Sequence, residues 1–126
     1  MNTIYILFLP FYLVLAACIG SFLNMLVWRL PHHESLLGRS HCCSCNHLLA
    51  PLDLIPVFSW LFLRGRCRYC HQPIAPRYFW LEICSIAGWA VCWIFSPTPL
   101  VLLISTCLVT LLLFFTTLFL EQKGLQ

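Results

Sequence analysis

The hydrophobic and polar positions of the chain fall into long blocks. Residues 4–28 and residues 99–120 contain no charged side chain. Because an α-helix rises about 1.5 Å per residue, roughly 20 apolar residues cross the hydrocarbon core of a bilayer. Each of these two blocks therefore predicts a membrane-spanning helix.

A third apolar block, residues 79–95, is shorter and carries Glu82 near its start. It spans a bilayer only with help from the flanking Arg77 and Tyr78. The prolines and small polar residues of 96–99 predict a tight turn between this span and the last one. The expected fold is an α-helical polytopic membrane protein with about three transmembrane helices. Its predicted parts are a first transmembrane segment (1–28), a loop domain (29–78), and two further spans with a short tail (79–126).

Composition agrees with a membrane location. The chain is 61% hydrophobic and 9% charged, which is unlike an ordinary soluble domain of this length. The net charge of +3 comes without a dense basic run, so nucleic acid is not an expected partner. The lipid bilayer is the first partner that the sequence predicts.

The basic residues are concentrated in the loop between the first and second predicted spans. They are Arg29, Arg39, Arg64, Arg66, Arg68 and Arg77, and the other basic residue is Lys123. Basic residues accumulate in loops that remain in the cytoplasm. The distribution predicts a cytoplasmic loop and an external N-terminus.

The same loop contains two C-x-x-C knuckles, formed by Cys42 with Cys45 and by Cys67 with Cys70. Two such pairs are typical of a tetrahedral Zn²⁺ site. These four cysteines are the predicted metal ligands, and Cys43 is the main competitor because it could replace Cys42 by shortening the spacer.

Each knuckle is followed by a residue that tolerates a positive φ angle, Asn46 or His71. The chain commonly turns through that conformation directly after such a knuckle. The sequence therefore predicts a positive φ at both positions.

Two other kinds of chemistry fit part of this pattern. Residues 67–71 read C-x-x-C-H, the attachment signature of c-type haem, and would make the protein a haem electron carrier. Disulfide pairing is the second alternative. Both need an oxidising compartment, whereas the predicted loop is cytoplasmic.

Polar residues at the loop-side ends of the spans are weaker candidates for organising a functional site. They are Asn24, Arg29, Arg77 and Glu82. An ionisable group inside a membrane indicates function by default, but Glu82 could also snorkel to the interface or pair with Arg29. Residues 54–63 form an apolar stretch too short to cross, which we expect to lie on the membrane or pack against the knuckles.

Several of these segments together resemble the N-terminal part of type IV prepilin leader peptidases. The resemblance covers about residues 15–85, in the family's order and spacing. Its motifs are residues 20–24, 28–31, 53–60, 64–67, 76–78 and 81–82, together with the two knuckles.

The resemblance implies a multi-pass enzyme of the bacterial inner membrane that serves type IV pili and type II secretion. Family members cleave the leader from prepilins and pseudopilins and then methylate the new N-terminal residue with S-adenosylmethionine. The resemblance links the zinc loop to methyl transfer; no glycine-rich nucleotide motif marks an S-adenosylmethionine site in this sequence.

The chain departs from the family pattern at the residues that cleave peptides. The family uses two aspartates in its later hydrophobic region, and aspartyl proteolysis needs two carboxylates around one water. Here Asp53 is the sole aspartate, and Phe119 stands where the first catalytic aspartate is expected. We therefore expect no prepilin cleavage by this chain alone, and another chain could supply the missing half. The alternative is a truncated, non-catalytic remnant or a zinc-bearing membrane interaction module.

Overall fold

A computed structural model describes residues 3–124. Its helices are α1 (Thr3–His32), α2 (Phe58–Phe62), α3 (Arg77–Phe95) and α4 (Pro99–Gln122), with a 3₁₀ turn at Pro51–Leu54. Residues 1–2 and 125–126, which belong to the first and last predicted parts, lie outside the described residues.

Three of these helices are long and apolar enough to cross a membrane. Their candidate spans are Ile6–His32, Arg77–Phe95 and Pro99–Gln122. The four knuckle cysteines cluster in the loop between the first two. The predicted fold class is therefore confirmed, with helix ends that extend a few residues beyond the predicted blocks.

Small residues allow α1 and α3 to pack closely. Ala16 and Ala17 are buried on α1. A Cβ atom at Gly20 would lie 2.8 Å from the Ser85 hydroxyl and 3.0 Å from the Glu82 Cα atom. Ala16, Ala17 and Gly20 are thus buried within the chain, with Gly20 against α3.

Polar side chains connect α3 to α4. The Trp89 indole donates a hydrogen bond to the Thr110 hydroxyl at 3.1 Å. The chain turns after α3, and the Thr98 hydroxyl caps α4 by accepting from the Val101 amide at 3.3 Å. The predicted turn at 96–99 is confirmed. In the most apolar stretch of α4, only 6% is buried inside the protein. Most of the surface of this helix is therefore available to lipid.

Candidate metal centre and adjoining cavity

The first knuckle is a short hydrogen-bonded turn. The Asn46 amide donates to the Cys42 carbonyl at 2.8 Å, and the Cys42 amide donates to the His47 carbonyl at 3.0 Å. An antiparallel bridge between His41 and Leu48 closes its base.

The second knuckle repeats this pattern at equivalent positions. The His71 amide donates to the Cys67 carbonyl at 3.0 Å, and the Cys67 amide donates to the Gln72 carbonyl at 2.9 Å. An antiparallel bridge pairs Arg66 with Pro73. The loop therefore contains two similar turns, each presenting a pair of cysteines.

The residue after each knuckle has a left-handed backbone, as the sequence predicts. Asn46 has a φ of 56° and His71 has a φ of 58°. Asn adopts this conformation more readily than most residues, because its short polar side chain bonds locally. The prediction of positive φ at both positions is confirmed.

The structure brings together the four cysteines that the sequence selects. The Sγ atoms of Cys42, Cys45, Cys67 and Cys70 lie within 4.8 Å of one another, and those of Cys42 and Cys70 are 3.8 Å apart. Four sulfurs at about 2.3 Å from a tetrahedral zinc ion would lie about 3.8 Å apart, so the donor set fits this metal. Cys43 is exposed and does not belong to the group.

Two thiols of this group, Cys42 and Cys70, have pKa values shifted in opposite directions. Although burial opposes it, hydrogen bonds from the Cys45 and Ser44 amides lower the pKa of Cys42 to about 6. Although the Gln72 amide opposes it, burial and the neighbouring thiols raise the pKa of Cys70 to about 12. One thiolate therefore forms readily, and its negative charge opposes the ionisation of a neighbouring thiol. A bound cation would offset this repulsion, because the thiolate is the form that ligates metals.

Asp53 ties the 3₁₀ turn to the second knuckle. Its side chain is only 2% exposed and accepts from the Arg68 Nε atom at 2.6 Å and from the Ala50 amide at 3.1 Å. The Tyr69 hydroxyl lies 3.4 Å from the same carboxylate, and the Tyr69 ring packs on His47 of the first knuckle. The sole aspartate therefore has a structural role in the loop.

A cavity of about 410 Å³ lies between the loop and the loop-side ends of the long helices. This volume lies in the range of small-ligand sites. Its lining includes two cysteines of the group, Cys42 and Cys67, and two arginines, Arg29 and Arg77. The sequence has four acidic residues, and all of them line this cavity: Glu34, Asp53, Glu82 and Glu121.

Arg77 joins the loop-side ends of the three long helices. It begins α3, forms an ion pair with Glu121 at the end of α4, and places its guanidinium 5.5 Å from the centre of the Trp28 ring on α1. The Tyr78 ring lies 5.0 Å away on its own helix. Such contacts are worth more where water is excluded, so Arg77 stabilises the floor of the cavity.

Asn24 and Glu82 have different partners. The Asn24 amide donates to the Tyr78 carbonyl at 3.0 Å, which links α1 to the first turn of α3. The Glu82 carboxylate accepts from the Val57 amide at 2.6 Å. Both side chains are buried, Asn24 on α1 and Glu82 on α3, but their hydrogen-bond partners are Tyr78 and Val57 and not each other.

Arg29 is buried and bonds to backbone oxygens of the following loop. It donates to the carbonyls of Ser35 at 2.8 Å and Gly38 at 2.9 Å. Among the described residues, Glu82 is paired with loop backbone and not with Arg29, so that alternative is wrong. The arginine instead fixes the path of the chain as it leaves α1.

Sequence reasoning missed Glu34 as a cavity residue. It lies two residues beyond the end of α1, and its amide donates to the Arg29 carbonyl at 3.1 Å. No motif marks this residue, and a charged side chain in a polar loop is ordinary. Its position against the cavity depends on how Arg29 folds the loop, which the local sequence does not specify.

Three membrane-length helices, with a four-thiol loop over a polar cavity, define a polytopic membrane protein with a candidate metal centre. Comparison with known families matches residues 14–96 to the Bacterial Peptidase A24 N-terminal domain. The chain belongs to this family, which confirms the resemblance read from the sequence motifs.

Curated relatives agree with this assignment. A protein of Myxococcus xanthus named prepilin leader peptidase/N-methyltransferase is 40% identical over 105 residues, covering 79% of this chain and 31% of the relative. An Aeromonas hydrophila protein of the same name is 37% identical over 90 residues, covering 52% and 31%. An Escherichia coli protein, named type 4 prepilin-like proteins leader peptide-processing enzyme, is 39% identical over 84 residues, with the same coverage.

The chain spans about a third of the length of these curated relatives. No solved structure matches it.

Proposed function

We propose that this chain forms the zinc-bearing membrane part of a prepilin leader peptidase/N-methyltransferase. In this proposal it contributes to methylation of the N-terminal amine of processed prepilins or pseudopilins, with S-adenosylmethionine as the methyl donor. The observation that carries the proposal is a cavity lined by the four-thiol loop and by all four acidic side chains of the sequence. The names of the relatives supply the reaction.

The proposed metal is zinc, held by Cys42, Cys45, Cys67 and Cys70. Four thiolates complete a tetrahedral shell and leave no position for substrate, which is the pattern of a structural site. The ion would order the loop that forms one wall of the cavity. The contribution of the metal loop to the reaction is then the shape and charge of that wall.

The charges of the cavity suit cationic reactants. S-adenosylmethionine supplies a methyl group from a positively charged sulfur, and the acceptor is the terminal amine of a peptide. The cavity has four carboxylates against two arginines, Arg29 and Arg77, and a cleft with an excess of negative charge raises the local concentration of cations. Glu34 lines the cavity, and among residues 3–124 no hydrogen bond or ion pair engages its carboxylate. In this proposal Glu34 accepts the proton that the amine loses. In this scheme Asn24, Arg29, Arg77 and Glu82 position the walls.

We propose that leader cleavage is not supplied by this chain. Asp53 is bound by three donors within the loop, and a dyad needs a second carboxylate beside it around one water. A partner chain that carries the peptidase aspartates would complete the enzyme. The arginine distribution supports a cytoplasmic loop in the bacterial inner membrane.

Zinc analysis tests the metal site first. The purified chain should contain about one zinc ion per molecule, because four thiolates hold a single ion. Cys67→Ser should lose the metal, whereas Cys107→Ser, on the lipid-exposed α4, should retain it. A metal-free preparation that keeps its loop ordered would contradict the zinc proposal.

Methyl transfer is tested with radiolabelled S-adenosylmethionine and a synthetic peptide that begins at the processed prepilin N-terminus. The wild-type chain and Cys107→Ser should label the peptide, while Cys67→Ser should not. Glu34→Gln should keep its zinc and lose about 10²- to 10⁴-fold in rate, the range of general-base catalysis. An active full-length relative beside an inactive, zinc-loaded chain would instead favour the non-catalytic interaction module.

A further inference from the structure

The segment that carries α2 exposes a row of large apolar side chains. They are Leu52, Leu54, Ile55, Phe58, Leu61 and Phe62, and we call this set the apolar lip. Phe58 is 59% exposed and Phe62 is 82% exposed. Contiguous exposed apolar surface of this kind marks a contact with another molecule or with a membrane.

Two contacts fix the apolar lip against the first turns of α3. The Val57 amide, at the start of α2, is bonded to the Glu82 carboxylate at 2.6 Å. The Trp60 ring packs on Phe79 with ring centres 4.9 Å apart. Both partners belong to the first turns of α3, a candidate membrane span.

Helix geometry converts these contacts into a depth. Glu82 lies about 7.5 Å along α3 from Arg77, at 1.5 Å per residue, and helical side chains lean back toward the N-terminus. The Val57 amide therefore lies within the first turns of the span. Amphipathic segments that lie in a bilayer surface bury their apolar face about 5–10 Å into the headgroup and acyl boundary. The two depths agree.

The flanking residues match the same surface. Arg64 and Arg66 follow α2 directly and are exposed, where they can meet lipid phosphates. Trp80, on α3, is 59% exposed at the same level, as expected of an aromatic side chain at the membrane boundary. Apolar, aromatic and basic side chains thus occur together, as they do in segments that lie at a bilayer surface.

We infer that the apolar lip inserts into the boundary layer of the bilayer beside α3, with Arg64 and Arg66 bound to anionic lipid headgroups. The partner is the lipid surface on the loop side of the membrane. Because Ser59, Trp60 and Leu63 from the same segment line the cavity, lipid would support one wall of that cavity from outside.

Site-specific photocrosslinking in nanodiscs of phosphatidylcholine and phosphatidylglycerol tests this inference. A benzophenone amino acid is placed at Phe62, at Leu48 in the first knuckle, which is 50% exposed, as a control, and at Phe115 on α4 as a positive control. Position 62 should form lipid adducts as position 115 does, and roughly tenfold more than position 48. Variants are compared only if they elute as the wild type does.

Each outcome decides the question. Lipid adducts at position 115 but not at position 62 would overturn the inference, and so would protein adducts at position 62, which would show a second copy or another chain on the apolar lip. Equal lipid labelling at positions 48 and 62 would also overturn it. The double variant Arg64→Gln/Arg66→Gln should remove any preference of position 62 for phosphatidylglycerol, and an unchanged preference would refute the headgroup assignment.

Discussion

At the scale of residues, the loop depends on five non-glycine positions with positive φ. They are His33, Asn46, Val57, Arg64 and His71. Asn46 and His71 were predictable, because their residue types and their places after the knuckles favour this backbone. Val57 was not, since a β-branched residue disfavours it. Its conformation depends on the hydrogen bond from its amide to the Glu82 carboxylate. The local sequence does not show that these two residues meet.

Removing the acceptor at Glu82 should release the Val57 turn. Glu82→Ala leaves the Val57 amide without its bond, which costs about 1–3 kcal/mol and should speed its hydrogen exchange by roughly tenfold to a hundredfold. Glu82→Gln keeps a carbonyl acceptor of similar reach, so its effect should be smaller. Exchange is measured by mass spectrometry on the peptide containing Val57. Exchange in Glu82→Ala equal to that of the wild type would show that the carboxylate does not hold this turn.

Gly65 should be the least replaceable glycine of the loop. It has a φ of 65°, and a Cβ atom there would lie 2.7 Å from the Trp60 ring. Gly65→Ala should lower the free energy of unfolding by about 3 kcal/mol, from backbone strain and overpacking together. Gly124 has a similar φ of 64° with no atom within 4 Å, so Gly124→Ala isolates the backbone part. Denaturant unfolding followed by tryptophan fluorescence compares them, and equal losses would refute the clash with Trp60.

At the scale of elements, charge-free blocks were enough to predict three spanning helices. The hydrophobic pattern could not give their ends, because α1 continues through Pro31 and α3 begins at Arg77, where caps and tertiary contacts decide. It also could not give which faces meet. The packing of α1 on α3 depends on Gly20, whose significance appears only when Glu82 and Ser85 are seen opposite it.

Gly20→Ala should separate α1 from α3. The added methyl group would lie 3.0 Å from the Glu82 Cα atom, which is backbone and cannot rotate away. Overpacking of this kind costs about 1–3 kcal/mol. Gly88→Ala is the matched control, because its Cβ atom meets a single side-chain methyl of Val109 at 2.7 Å. Thermal unfolding in detergent should show the larger loss for Gly20→Ala, and the reverse order would contradict the close packing.

At the scale of the whole molecule, the cysteine spacing predicted the four thiols that the structure gathers, and the motifs predicted the family. The cavity was not predictable. Its lining comes from α1, the loop, α3 and α4, so that residues far apart in the sequence become neighbours only after the helices pack. Glu34 and Glu121 illustrate this, since neither stands in a recognisable motif.

The predicted orientation of the molecule has a direct test. Cys43 is exposed beside the knuckles, whereas Cys18, Cys84 and Cys107 lie in the spans. A membrane-impermeant maleimide should label Cys43 in inverted inner-membrane vesicles and not in intact spheroplasts, as expected of a cytoplasmic loop. Cys43→Ser should remove the labelling. Labelling of Cys43 in sealed spheroplasts would reverse the orientation.

All four acidic side chains border one cavity, so a reagent specific for carboxyl groups acts mainly at one place in the molecule. A carbodiimide that couples carboxyl groups to an amine tag can modify, apart from the chain terminus, only groups that border this space. Tagging therefore becomes a local probe of the cavity without any engineered reporter. Protection of the carboxylates by a bound ligand would register as a fall in total incorporation, so candidate ligands can be screened on the unmodified sequence.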